Sequence, residues 1–154
     1  MTTSGLDALQ RTLAGEHAAV FVLAALGGRA SALTAPSLRT ALDAAYDAHL
    51  QRRDRLRVMV VAAGGDPVAA EPAYRLPGSS TGSSTSPSTP TAAQIQDQAL
   101  QVERGCATAY AALVAATAGA DRRWAVDALV ETAVGEAAFG GTPEALPGVG
   151  TPDP

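Results

Sequence analysis

The chain has 154 residues, a formal charge of −4 and a pI near 5.0; 47% of its residues are hydrophobic but only 4% are aromatic. That length suits one domain, and the apolar content excludes a disordered chain. The acidic balance excludes the basic footprint of a nucleic-acid or anionic-membrane binder. Much of the apolar content is alanine, so each helix buries many small groups, and stability depends on close helix approach or self-association. A homodimer is expected on that ground. The single cysteine, Cys106, excludes an internal disulfide and a Cys-rich zinc site, and its small apolar neighbours predict a buried, inert thiol. The N-terminus lacks the basic and apolar regions of a signal peptide. The longest apolar run, Ala18 to Leu26, falls well short of the ~20 residues that cross a bilayer. The expectation is a cytoplasmic protein without a membrane partner.

Leu6, Leu9, Leu13, Val20 and Leu23 recur at helical spacing, with Ser4 as an N-cap and Gly27-Gly28 as a stop. Glu16 and His17 sit in the gap of that stripe. Pro36 suits the first turn of a second helix, whose stripe runs Leu38, Leu42, Ala45, His49, Leu56 and Val60 to Gly64-Gly65. Arg52, Arg53, Arg55 and Arg57 lie in its last turns, where cations complement the helix dipole. Residues 64–90 lose the pattern, and 78–91 form a low-complexity Ser/Thr/Gly/Pro tract. A third helix runs from Thr91 through Ile95, Ala99, Val102, Cys106, Ala109 and Leu113 to a Gly119 stop. A fourth runs from an Asp121 cap through Trp124, Leu129 and Val134 to Phe139. Trp124 and Tyr110 read as core or interface aromatics, and the isolated Gly15, Gly105 and Gly135 as sites of close helix contact. The tail, 141–154, holds four prolines or proline-flanked turns and reads as flexible.

Short links between helices 1 and 2 and between helices 3 and 4 predict two antiparallel pairs. The long middle link, ~27 residues at ~3.3 Å each, can traverse a bundle ~40 Å long. The fold expectation is therefore all-α: a ferritin-like four-helix bundle over residues 1–140, with 64–90 as a crossover between helices 2 and 3.

The stretches Leu13-Ala-Gly-Glu16-His17-Ala-Ala-Val20, His49-Leu-Gln-Arg-Arg53-Asp54-Arg-Leu56 and Pro72-Ala-Tyr74-Arg-Leu-Pro77, with the Glu103 segment, resemble an uncharacterised ferritin-like family of high-GC Gram-positive bacteria, a domain of unknown function. The resemblance implies a four-helix bundle, a dimer, and no established activity.

A di-iron bundle needs about four carboxylates and two imidazoles, with a Glu-x-x-His step on each of two helices. No such step occurs. Glu16 and Glu103 could supply single carboxylates and His49 one imidazole, but Tyr46 stands one turn before His49. On the fourth helix Glu131 is followed by Val134, and Glu136 by Phe139. His17 cannot chelate with Glu16, because helical neighbours point about 100° apart. The favoured reading is a buried polar site or degenerate metal site drawn from Glu16, His17, Tyr46, His49, Arg53, Glu103 and Glu136, with the carboxylates paired to His49, Arg52 or Arg53 and no catalysis. The function expected is a dimeric structural or interaction module without a cofactor. The alternative is binding of iron or another divalent metal by the incomplete set Glu16, His49 and Glu103.

Overall fold

A computed structural model describes residues 3–76, 89–142, 144 and 146–149. Most of the Ser/Thr tract and several tail residues lie outside this set. The described chain is an all-α four-helix bundle: α1 (Thr3–Gly27), α2 (Pro36–Ala62), α3 (Ala92–Ala116) and α4 (Gly119–Ala138), with no strand among the described residues.

Local chemistry sets the ends. Pro36 opens α2 at a position whose N–H would be orphaned anyway. After Ala63, Gly64 takes a positive φ of 83°, and the Gly65 N–H reaches back to Val60 O at 3.0 Å, which satisfies the terminal carbonyls. Gly140 and Gly141 close α4 in the same way, with Gly141 N donating to Glu136 O at 2.8 Å. Thr91 begins α3 with a reciprocal capping box to Gln94.

The expected stop at Gly119 and cap at Asp121 are corrected. Gly119 is the first residue of α4, and only Thr117 and Ala118, both extended, separate it from α3. The Thr117 hydroxyl donates to Leu113 O at 2.6 Å and Arg122 Nε donates to Thr117 O at 2.6 Å. These bonds satisfy the end of α3 and leave no need for a longer turn.

Two apolar clusters fill the interior. One joins Leu9 and Leu13 of α1, Leu56 and Val60 of α2, Tyr110 and Leu113 of α3, and Ala125 and Ala128 of α4. The other joins Leu23 and Leu26, Leu42, Ile95 and Ala99, and Phe139. The N-terminal half of α1 therefore shares an end with the C-terminal halves of α2 and α3, while α2 and α3 run in the same direction. Residues 66–76 lie along α1: Gln10 bonds to Asp66 O and Val68 N, His17 to Val68 O, and the Phe21 and Tyr74 rings meet at 5.5 Å.

On α4 the expected inward stripe also changes. Ala125, Ala128, Thr132 and Glu136 are buried, whereas Val126, Val130 and Val134 are 41%, 58% and 66% exposed. The small row faces inward because it allows α4 to approach α3 closely; the valines, one or two residues on from Ala125, Ala128 and Thr132, are carried about 100–200° round the helix.

Candidate functional site

Between the two clusters lies a polar centre. Glu16 sits mid-way along α1 and His49 mid-way along α2, and α3 contributes Glu103, Cys106 and Tyr110 at i, i+3 and i+7, one face of the helix. All are buried: Glu16 and Glu103 are 1% exposed, His49 and Tyr110 0%, Cys106 6%. His49 Nδ1 lies 2.7 Å from Glu16 Oε2 and its Nε2 lies 3.3 Å from Glu103 Oε1. The Tyr110 hydroxyl donates to the other Glu16 oxygen at 2.6 Å.

Burial by itself would depress the pKa of His49, but hydrogen bonds with Cys106, Glu103 and Glu16, together with the Glu16 charge, outweigh it and hold the imidazole well above its ordinary value. The ring presents Nδ1 to Glu16 and Nε2 to Glu103, the arrangement that favours its protonated form, in which both N–H groups donate to carboxylates. Burial pushes the Cys106 thiol up, with His49 opposing, so the sulfur stays protonated. Tyr110 is raised too, first by burial and then by the Glu16 charge, and remains a hydroxyl donor.

Around this centre the other candidates divide. Arg52, not Arg53, enters the interior: its Nη1 donates to Thr132 Oγ1 at 2.8 Å, its guanidinium stands 6.0 Å from the Tyr110 ring centroid, and its Nε is 3.6 Å from the exposed Glu131. Of the three cations expected for the buried carboxylates, His49 contacts both; Arg53 does not enter the centre and bonds its exposed neighbour Asp54. One residue of helical rotation separates the fates of Arg52 and Arg53. His17 is half-buried and contacts Val68 O at 3.1 Å, outside the centre, for the same reason. Tyr46, also half-buried, packs against the Leu42 and Phe139 cluster. Glu136 is buried, which raises its pKa ahead of the opposing Arg104, whose Nε lies 3.6 Å away; it does not reach His49.

Of the three isolated glycines only Gly135 makes a close approach. A Cβ there would lie 2.7 Å from the Glu103 carboxyl, while Gly15 and Gly105 face nothing within 4 Å. Gly135→Ala is expected to displace Glu103 and destabilise the fold by about 1–3 kcal/mol, read as a lower urea midpoint; an unchanged midpoint would mean that Glu103 is not held in place.

Sequence reasoning passed over Tyr110, Cys106 and Thr132 as site residues, and offered Arg52 as a partner for the buried carboxylates and not for Thr132. The signal was present for two of them, since Cys106 and Tyr110 share the helical row of Glu103. Thr132 carried none, because its bond to Arg52 depends on how α2 meets α4.

The solved structure of a conserved hypothetical protein, rv2844, from Mycobacterium tuberculosis is similar to this chain, with 28% sequence identity, a TM-score of 0.77, and coverage of 90% of this chain and 89% of that one. No curated protein matches. Residues 8–151 match the family described as Domain of unknown function (DUF4439), and the chain therefore belongs to the DUF4439 family.

Proposed function

We propose that this protein is a ferritin-like bundle in which residues 64–90 form the long crossover between α2 and α3, and in which an ion cluster stands where related folds would place a di-iron centre. The parallel course of α2 and α3, and the path of residues 66–76 along α1, support the crossover. The observation that carries the functional reading is that His49 engages a carboxylate through each ring nitrogen. The residues present do not fit two irons: the centre holds two carboxylates and one imidazole, Tyr46 and Val134 stand where further ligands would be needed, and Glu136 faces Arg104. The cluster links α1, α2 and α3 and serves as a structural tie, not as a redox site.

The protein acts in this reading as a dimeric structural or interaction module in the cytoplasm. The exposed Val126, Val130 and Val134 at i, i+4 and i+8 support self-association, because a two-fold interface pairs a surface with itself and antiparallel α4 helices would set Val126 against Val134 about Val130. Sedimentation should give a dimer, and Val130→Asp a folded monomer; a monomeric wild type would refute the dimer. Anaerobic Fe(II) addition followed by oxygen should show no protein-accelerated oxidation, and rapid stoichiometric oxidation would overturn the non-redox reading.

A further inference from the structure

We propose that Glu16, His49 and Cys106 form a mononuclear site for a divalent ion of the zinc class, with Glu103 orienting the imidazole. One carboxylate oxygen, one imidazole nitrogen and the thiol sulfur lie within 4.8 Å of one another, brought by three different helices and all buried. A second, independent observation points to a cation. Glu103, 1% exposed and bonded to the His49 ring, leaves its Oε2 without a hydrogen-bond partner, an unsatisfied carboxylate oxygen buried beside the three donors.

The donor set selects the ion. Sulfur with imidazole and a single carboxylate suits zinc and its borderline-soft neighbours, whereas magnesium and calcium require oxygen ligands. Nitrogen and oxygen donors at about 2.0–2.2 Å from a tetrahedral zinc stand about 3.4 Å apart, so the 2.7 Å contact between His49 Nδ1 and Glu16 opens only slightly. His49 Nε2 keeps its bond to Glu103 and Tyr110 keeps its bond to Glu16, the outer hydrogen bonds that orient metal ligands. The ion replaces the Cys106 thiol proton and the Nδ1 proton. Two positive charges enter as two leave, and the buried centre keeps its net charge.

The test uses the full chain, stripped with a chelator and titrated with cobalt(II), both as native protein and during refolding, since metal uptake at a buried site is coupled to folding. The expected result is one equivalent bound, with an intense near-ultraviolet thiolate-to-cobalt band that zinc bleaches. Cys106→Ser, close in size, should keep the helical circular dichroism and lose the band, and Tyr110→Phe should weaken binding about 10–100-fold. Absence of stoichiometric cobalt under both protocols, binding without the thiolate band, or equal affinity in Cys106→Ser would overturn the proposal. The structural reading stands on the metal-free cluster and is judged separately, by whether the stripped protein stays folded through His49.

Discussion

His49→Leu is expected to lower the free energy of unfolding by about 3–5 kcal/mol in chelator-treated protein, the range for breaking a buried ion pair by removing one partner. The imidazole is fully buried and its two ring nitrogens face Glu16 and Glu103, each 1% exposed, which favours its charged form. Leucine fills much of the volume but leaves both carboxylates inside without a cation. The cost therefore comes from stranded charge and not from a cavity. A triple variant, Glu16→Leu, His49→Leu and Glu103→Leu, should recover part of the loss, because an apolar replacement of a whole buried ion cluster is often neutral or stabilising.

The pH dependence follows from the same group. His49 has a folded pKa raised well above its ordinary 6.5, so its contribution is fully present below pH 6.5 and is lost as pH rises through the folded value. Glu16, Glu103 and Cys106 face the ring, with Tyr110 behind them bonded to Glu16, and share in that balance. Wild-type stability should decline on the alkaline side, and His49→Leu should lack that decline. Urea midpoints across pH decide the matter: a variant as stable as wild type at every pH would show that no charge is stored on His49.

Helix number and type were legible because the chain repeats its apolar residues at helical spacing and punctuates them with Pro36, Gly64-Gly65 and Thr91. The course of α2 was legible to its Gly64 end, since a positive φ and a backward hydrogen bond are what glycine supplies there. The centre was legible in outline. From sequence His49 fell on an inward stripe, Glu16 in the gap of another, and Glu103 was offered as a carboxylate of the third helix; the structure brings the three together. What the sequence hid was phase. Arg52 and Arg53, and Glu16 and His17, differ by a single residue, the inward and valine rows of α4 by one or two, and only the packing of one helix on another decides which turns inward. On α4 the larger valine misled: hydrophobicity favours Val134 as a core residue, but the inward row is Ala125, Ala128, Thr132 and Glu136, and Gly135 lies so close to Glu103 that a Cβ would meet its carboxyl.

Tyr110→Ala is expected to cost about 3–5 kcal/mol, as for deletion of a buried aromatic ring. Its ring is 0% exposed, meets Trp124 edge-on at 5.9 Å and lies beneath the Arg52 guanidinium. Tyr110→Phe separates the two roles of the side chain. It retains the ring and removes the 2.6 Å hydrogen bond to Glu16, leaving a buried carboxylate oxygen without its donor, at a cost of about 1–3 kcal/mol. The difference between the variants measures packing, and the Phe variant measures the hydroxyl. Coupling then tests whether the hydroxyl acts through Glu16: in a Glu16→Leu background Tyr110→Phe should cost markedly less, because the partner that needed the donor is gone. Equal costs in both backgrounds would detach Tyr110 from the centre and leave it a core aromatic. A smaller cost beside Glu16→Leu would instead make the phenol the member that lets α3 share the charge held between α1 and α2.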